Sequence, residues 1–231
     1  MKTVDEIFGI EINNNDYFKA ALTHPSYTQE NNLDYVECYE RMEFLGDAVL
    51  KLVMSEILYE KFPDAHEGEM SKVRAIAVSD NILSTISKKI GLSELIVTSV
   101  HDGKQGLKNL ESVTACAFEA VLGAYFLDGK FNELREKLKE IFIPYIEEID
   151  NNMEKYNAKA LLQEYTQGLN KEIPKYKLVA ESGPAHNKTF TVEVSYRGEV
   201  IAEGSGKSKK DAEQKCAYEA CRKLGVFECQ K

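Results

Sequence analysis

Residues 39–61 read YERMEFLGDAVLKLVMSEILYEK, a stretch with one glycine and no proline. Its apolar side chains recur at steps of three and four, the spacing that lines one face of a helix. They are Met42, Leu45, Val49, Leu52, Val53 and Ile57. The stretch therefore predicts a long helix that ends before Pro63.

The rest of the first 150 residues also has helical patterns. Residues 113–127 (VTACAFEAVLGAYFL) are nearly all apolar, which predicts a buried helix. Residues 131–149 are amphipathic and contain Pro144, which predicts a kink or a break at that point. Strand patterns are scarce here, so this part is predicted to be all-α.

In the last third of the chain, the spacing of apolar residues changes and includes the alternation that is typical of strands. Residues 158–168 and 208–224 have helical patterns, and Gly225 follows as a C-terminal stop. Between them, residues 175–181, 189–196 and 199–205 alternate as strands do, with a hairpin signal at Arg197-Gly198. This order predicts an α-β-β-β-α domain, separated from the first by a polar linker at residues 151–157.

Composition narrows the class of protein. The 231 residues are 43% apolar and 29% charged, which is typical of a globular protein. No apolar run reaches the ~20 residues of a membrane span, so we expect a cytoplasmic protein with no membrane partner. The cysteines are odd in number and form no C-x-x-C motif, which predicts reduced thiols. They are Cys38, Cys116, Cys216, Cys221 and Cys229.

The net charge of −9 is unevenly distributed. Residues 1–150 hold 15 basic and 27 acidic side chains, whereas residues 151–231 hold 14 and 11. The first part therefore has a net charge of −12 and the second of +3. This asymmetry indicates two modules with different partners.

Carboxylates in the first long helix have a spacing that suits a metal ion. Glu43 and Asp47 are four residues apart, on one face and ~6 Å apart along the axis. Glu40 lies on the same side but ~10 Å from Asp47. A solvated acidic stripe explains the same spacing equally well.

Glu119 is the only charged residue within the apolar helix at 113–127. Burying a carboxylate is costly unless it binds a metal or forms an ion pair, for which Arg41 and Arg74 are candidates. Glu43, Asp47 and Glu119 together make a hard oxygen site suited to Mg²⁺. Zinc spacing, a Walker loop and a dinucleotide fingerprint are missing from the sequence, so we expect no small-molecule cofactor.

Several segments resemble one family. ERMEFLGDAVL (residues 40–50) resembles the signature segment of bacterial ribonuclease III. LTHPSY (22–27), EGEMSKVRA (67–75) and FEAVLGAYFLDG (118–129) resemble three further segments of that family, in the same order. GPAHNKTF (183–190) and GSGKSKKDAEQKCA (204–217) are similar to parts of a double-stranded-RNA-binding domain. The resemblance covers nearly the whole chain.

This resemblance implies an all-α endonuclease and dimerisation domain at residues 1–150 and a binding domain at residues 158–226. It implies a homodimer that hydrolyses both strands of duplex RNA with Mg²⁺, leaves 5′-phosphate and 3′-hydroxyl ends, and processes ribosomal and other structured RNA precursors. Glu43, Asp47 and Glu119 would bind the metal, the last two as catalytic residues. Accessory roles fall to Glu40 and Glu67. Phe44 matches the apolar side chain that the family inserts into a socket on the partner subunit. An ordinary core phenylalanine would give the same sequence pattern.

One position departs from the family pattern. Cys116 stands where an Asp is expected in the metal cluster, three residues before Glu119 and on the same helix face. Since Mg²⁺ binds thiols poorly, water could fill the missing position, Mn²⁺ could be preferred, or cleavage could be lost. The last outcome leaves a duplex-RNA-binding protein as the alternative function. The loop at residues 103–112 (GKQGLKNLES) also lacks the paired glycines and the arginine that the family resemblance leads us to expect.

The C-terminal module has side chains that suit duplex RNA, which is recognised through phosphates and 2′-hydroxyls. Basic residues near the start of the last helix are expected to meet phosphates, and Ser208 is expected to cap that helix. The first helix and the loop after the first strand offer groups for the minor groove. The candidates are Lys207, Lys209 and Lys210 for phosphates, and Gln163, Glu164 and His186 for the groove.

Overall fold

The computed structural model describes residues 2–183 and 188–228, and His186 lies outside this range. The chain forms two compact units, Met1–Glu148 and Ile149–Lys231. None of the helices in the described ranges combines the length and apolar character that a membrane span needs.

Helices are the regular secondary structure of the first unit in its described residues, apart from an isolated bridge between Thr23 and Val97. Nine α-helices follow one another, and the ninth continues into the next unit. They are α1 (Val4–Phe8), α2 (Asn15–Ala21), α3 (Pro25–Asn31), α4 (Glu40–Lys61), α5 (Glu67–Ala77), α6 (Asp80–Ile90), α7 (Val100–Lys104), α8 (Glu111–Leu127) and α9 (Phe131–Asn151). The predicted all-α fold of this part is confirmed.

Helix α8 is the centre of the first unit. Phe118, Leu122 and Tyr125 are fully buried, and the Tyr125 ring packs against Phe8 and Phe18. Helices α4 and α8 cross so closely that their backbones touch at glycine residues, with no side chain between them. A Cβ atom on Gly123 would be 2.3 Å from the Met42 backbone oxygen.

Helix α9 continues through Pro144, so the predicted alternative of a break is wrong. Proline removes one backbone donor, but the apolar face of α9 still anchors the helix in the core on both sides of it. The buried residues on that face are Leu134, Leu138, Phe142, Ile146 and Ile149.

The second unit has the predicted α-β-β-β-α order, preceded by one short helix. Its elements are α10 (Met153–Tyr156), α11 (Ala158–Asn170), β1 (Lys175–Ser182), β2 (Thr189–Tyr196), β3 (Glu199–Gly206) and α12 (Lys209–Leu224). The strands pair antiparallel in the order β1-β2-β3. The buried core comes from α11, α12 and one face of the sheet, and includes Leu162, Val194 and Ala217.

Turn and cap signals in this unit act as predicted. Arg197 and Gly198 both have positive φ angles, 55° and 83°, as a two-residue hairpin turn requires. The Asp211 amide donates to the Ser208 side chain at 3.1 Å, which confirms the cap on α12. Helix α10 lies within the predicted linker, and Gln214 Nε2 donates to the Lys155 carbonyl at 3.1 Å.

Candidate metal centre and nucleic-acid interface

The crossing of α4 and α8 brings the predicted carboxylates together. A Cβ atom on Gly46 would be only 1.7 Å from the backbone oxygen of Glu119, so the two helices touch at this point. Glu43 lies one turn before Gly46 and Asp47 follows it directly. Carboxylates from two helices therefore line one small cleft, which we call the carboxylate cleft.

Glu119 is the most perturbed acid of the cleft. Burial, followed by the negative charges of Asp47, Glu43 and Asp80, raises its pKa to about 8, and the positive charge of Lys51 opposes this to a smaller extent. An ion pair does not hold Glu119 in the described ranges. Arg74, one of the two candidate partners, instead donates to Ser55 Oγ at 2.7 Å.

Cys116 faces the cleft, as its spacing from Glu119 predicts. Burial, together with a hydrogen bond to the Glu43 carboxylate, raises the pKa of the thiol to about 12. Burial also raises the pKa of Glu43, and the bond from Cys116 lowers it. Cys116 is therefore an uncharged hydrogen-bond donor near neutral pH and cannot replace an aspartate as an anionic oxygen ligand.

The other predicted acids have different surroundings. Asp47 Oδ2 pairs with Lys51 Nζ at 2.7 Å. Glu40 is exposed and lies 3.8 Å from the Cys38 thiol. Glu67, on α5, accepts a hydrogen bond from Ser71 Oγ at 2.7 Å. Of the accessory acids, only Glu40 is among the charges that most affect Glu43.

Sequence reasoning missed Asp80. This residue begins α6, and its charge raises the pKa values of Glu43, Cys116 and Glu119. The sequence around Asp80 indicated only an acidic residue that follows Ser79 at the start of a helix, and such residues are common there. Its proximity to the cleft depends on how α6 packs against α8, which no local pattern encodes.

The cleft fits a divalent cation by the chemistry of its donors. In the described part of the chain, no three His, Cys, Asp or Glu side chains already close around a common point as metal ligands. Glu43, Asp47 and Glu119 nevertheless offer oxygen donors whose mutual repulsion a cation would relieve. For Asp47, binding such an ion competes with the ammonium group of Lys51.

The outer face of α4 carries apolar side chains that the first unit does not cover. Phe44 is 83% exposed, Leu52 60% and Tyr59 75%. Phe44 is therefore not a core residue of this chain. A groove beside Phe44 is lined by further apolar and aromatic side chains, among them Tyr17, Tyr35, Val36, Leu45 and Leu127.

The predicted phosphate-binding lysines cluster at the start of α12. Close contact between β3 and α12 positions this end of the helix, since a Cβ atom on Gly206 would be 2.5 Å from the Ala212 amide nitrogen. Lys207, Lys209 and Lys210 are all exposed, and Lys209 lies 3.9 Å from Glu181. The predicted groove-facing residues on α11, Gln163 and Glu164, are exposed as well.

Comparisons with known proteins agree across both units. The family model described as Ribonuclease-III-like matches residues 14–146, and that of the double-stranded RNA binding motif matches residues 158–224. Ribonuclease 3 of Bdellovibrio bacteriovorus is 39% identical over 220 residues, which are 95% of this chain and 94% of the relative. Ribonuclease 3 of Staphylococcus haemolyticus is 37% identical over 96% of this chain and 90% of its own length.

Solved structures give the same likeness for the first unit. The nuclease domain of ribonuclease III from Campylobacter jejuni, in a structure concerned with flexibility in a region involved in dimer formation, has a TM-score of 0.55. Its sequence identity is 33%, and the match covers 61% of this chain and 96% of that one. A second structure of the same nuclease domain has a TM-score of 0.52 at 34% identity and covers 64% of this chain and 96% of that one.

Proposed function

The chain belongs to the ribonuclease III family, and from that premise we propose that it is an endoribonuclease that cleaves both strands of duplex RNA. The products would carry 5′-phosphate and 3′-hydroxyl ends, and the substrates would be ribosomal and other structured RNA precursors. The observation that carries this proposal is the carboxylate cleft, where acids from α4 and α8 meet and the pKa of Glu119 rises to about 8. We assign cleavage to residues 1–150 and RNA anchoring to residues 158–226.

In this proposal, Glu43, Asp47 and Glu119 would hold Mg²⁺, with Mn²⁺ as a substitute. A divalent ion in such a site activates water and stabilises negative charge on phosphoryl oxygens. Lys51 holds the Asp47 carboxylate in place when no cation is present. Glu119 must lose its proton to act as a ligand, which a nearby cation favours because it lowers the pKa of a carboxyl group.

The second unit would anchor the duplex. The exposed lysines at the start of α12 lie where backbone N–H groups and the helix dipole already favour a phosphate. Gln163 and Glu164 on α11 would reach 2′-hydroxyl groups, which distinguish RNA from DNA. Anchoring through this net positive unit would offset the repulsion of RNA by the acidic first unit.

The exposed face of α4 would be covered by a second copy of the chain. Phe44 stands beside an apolar groove, so two copies related by a two-fold axis could each place a Phe44 ring in the other's groove. Such reciprocal burial of an aromatic residue is typical of interface hot spots. We therefore propose a homodimer.

A second candidate function is duplex-RNA binding without cleavage. The Cys116 thiol favours it, because a pKa of about 12 leaves the residue neutral at a position where the family pattern has an Asp. The cleft would then lack one negative charge for the metal. Retention of Glu43, Asp47 and Glu119 at one helix crossing supports the cleaving enzyme over this alternative.

The test is cleavage of a long perfect RNA duplex by the wild-type chain, Cys116→Asp and Glu119→Gln, in Mg²⁺ and in Mn²⁺. We expect wild type to cut in Mg²⁺, and Glu119→Gln to lose at least ~100-fold in rate while it still binds the duplex. Cleavage by wild type at a rate like that of Cys116→Asp would show that the thiol is tolerated. If wild type binds the duplex but cuts in neither metal, and Cys116→Asp restores cutting, the chain is a binding protein.

A further inference from the structure

We infer that Lys51 and Arg74 form a basic track on the first unit, which binds phosphates of the RNA backbone beside the carboxylate cleft. Lys51 lies on α4 and Arg74 on α5. This inference rests on the proposed function and extends it, because it names groups of the first unit that contact the substrate. The track follows a polar stripe of Asp47, Lys51 and Ser55, which are four residues apart and so lie on one side of α4.

A series of hydrogen bonds runs along this stripe. Lys51 Nζ donates to Asp47 Oδ2 at 2.7 Å. Ser55 Oγ donates to the backbone oxygen of Lys51 at 2.6 Å and accepts from Arg74 Nη1 at 2.7 Å. By the helix rise, Lys51 and Ser55 lie ~6 Å and ~12 Å from Asp47 along the axis. Two basic groups are therefore arranged one after the other along α4, and the first of them contacts an acid of the cleft.

Other basic residues in contact with α4 are neutralised by acids that have no part in the cleft. Arg135 and Lys139, both on α9, pair with Glu56 and Glu60 at 3.2 and 3.1 Å. A cation bound in the cleft does not compete for either of these carboxylates. These two pairs therefore hold α9 to α4 and leave no charge for a ligand.

Lys51 and Arg74 have different partners. In the described ranges, the only acid that pairs with Lys51 is Asp47, for which a metal ion would compete. Arg74 forms no ion pair in those same ranges, and its bond to Ser55 uses one of five guanidinium N–H donors. The Lys51 side chain is 53% exposed and Arg74 is partly exposed, so a ligand can reach both. Phosphate oxygens suit both an ammonium and a guanidinium group.

The backbone of a duplex is the ligand that this arrangement fits. Proteins gain most of their affinity for nucleic acids from Lys and Arg contacts to phosphates, which repeat along each strand. A strand whose scissile phosphate lies in the carboxylate cleft carries its next phosphates over the adjoining surface. Lys51 would exchange Asp47 for one of them when that carboxylate ligates a cation, and Arg74 would meet a phosphate further along. The alternative is structural: an ordinary helix ion pair, and a tether between α4 and α5.

The experiment measures duplex binding apart from cleavage, by fluorescence anisotropy of a labelled RNA duplex as KCl is varied at constant Mg²⁺. All proteins carry Glu119→Gln, so that the duplex stays intact. We expect Lys51→Gln and Arg74→Gln each to weaken binding ~3–10-fold near physiological salt, and to reduce the slope of log affinity against log salt by about 1. The matched control is Lys19→Gln, which breaks an exposed Lys–Asp pair within α2 and should change neither quantity.

Charge-conserving variants separate phosphate contact from support of the fold. Lys51→Arg and Arg74→Lys keep the positive charge and should retain the salt slope, and circular dichroism confirms that each variant is folded. A Gln variant whose slope equals that of Lys19→Gln overturns the inference for that residue. A loss of slope in Arg74→Lys as large as that in Arg74→Gln also overturns it for Arg74, because the bond to Ser55 and not the charge would then be responsible.

Cleavage tests the proposed function separately. If the chain with Glu119 intact cuts in neither metal while the salt slopes change as expected, the enzyme proposal fails and the track stands as an RNA-binding surface. If the chain cuts the duplex but the slopes do not change, the track alone is wrong.

Discussion

At the scale of single residues, Glu119 is expected to make the stability of the folded chain depend on pH. Its pKa is raised from 4.5 to about 8 in the folded chain without metal, mainly through burial. Between these pH values the folded state binds more protons than the unfolded state, so its stability falls as pH rises. We expect Glu119 to contribute a loss on the order of 1–3 kcal/mol between pH 5 and pH 8, after a discount for partial solvent access. Urea unfolding in EDTA measures it.

Two variants test this assignment at the residue scale. Glu119→Gln cannot ionise, so its unfolding free energy should change less with pH than that of wild type. Glu94→Gln removes an exposed glutamate of the same unit and should keep the wild-type pH dependence. If the unfolding free energy of Glu119→Gln changes with pH in parallel with that of wild type, the pKa of Glu119 is not raised in the folded chain.

At the scale of elements, the site depends on one contact between two helices. Gly46 has no space for a methyl group, because its Cβ atom would overlap the Glu119 carbonyl at 1.7 Å. Gly46→Ala must therefore push α4 from α8, and we expect it to cost about 3 kcal/mol in unfolding free energy and to weaken Mn²⁺ binding. Gly68→Ala, on α5, meets nothing within 4 Å and should be neutral or stabilise by up to ~1 kcal/mol. Equal stabilities of the two variants in chemical denaturation would contradict the close crossing.

At the scale of the whole molecule, the exposed face of α4 predicts self-association. Phe44→Ala removes the aromatic ring that is 83% exposed in the single chain, and we expect the dimer dissociation constant to rise by at least ~30-fold. Val200→Ala shortens an exposed apolar side chain on β3 and should leave association unchanged. Sedimentation equilibrium of the three proteins measures this. If the wild-type chain stays monomeric at micromolar concentration, the proposed homodimer is wrong.

Much of the architecture was predictable because local chemistry encodes it. Spacing of three and four gave α4 and α8 within two residues of their observed ends, and alternation with the Arg197-Gly198 signal gave β2 and β3. The Ser208 cap was predictable for the same reason, since it involves an amide only three residues away. At Pro144 the alternative of a break was wrong, because packing of α9 on both sides outweighs the loss of one backbone donor.

In the candidate site too, local sequence predicted some features and tertiary contacts decided the others. Residue types and spacing along α4 and α8 were sufficient to nominate Glu43, Asp47 and Glu119, because neighbours at three or four residues share a helix face and a lone acid in an apolar helix needs a partner. Cys116 was nominated by the family resemblance, which implies an Asp at that position. Tertiary structure alone decided that the Asp80 charge acts on Glu119, that Arg74 bonds Ser55 and not Glu119, and that Phe44 is exposed. These depend on contacts between segments far apart in the chain, and the free energy of such contacts comes from packing that no short stretch of sequence contains.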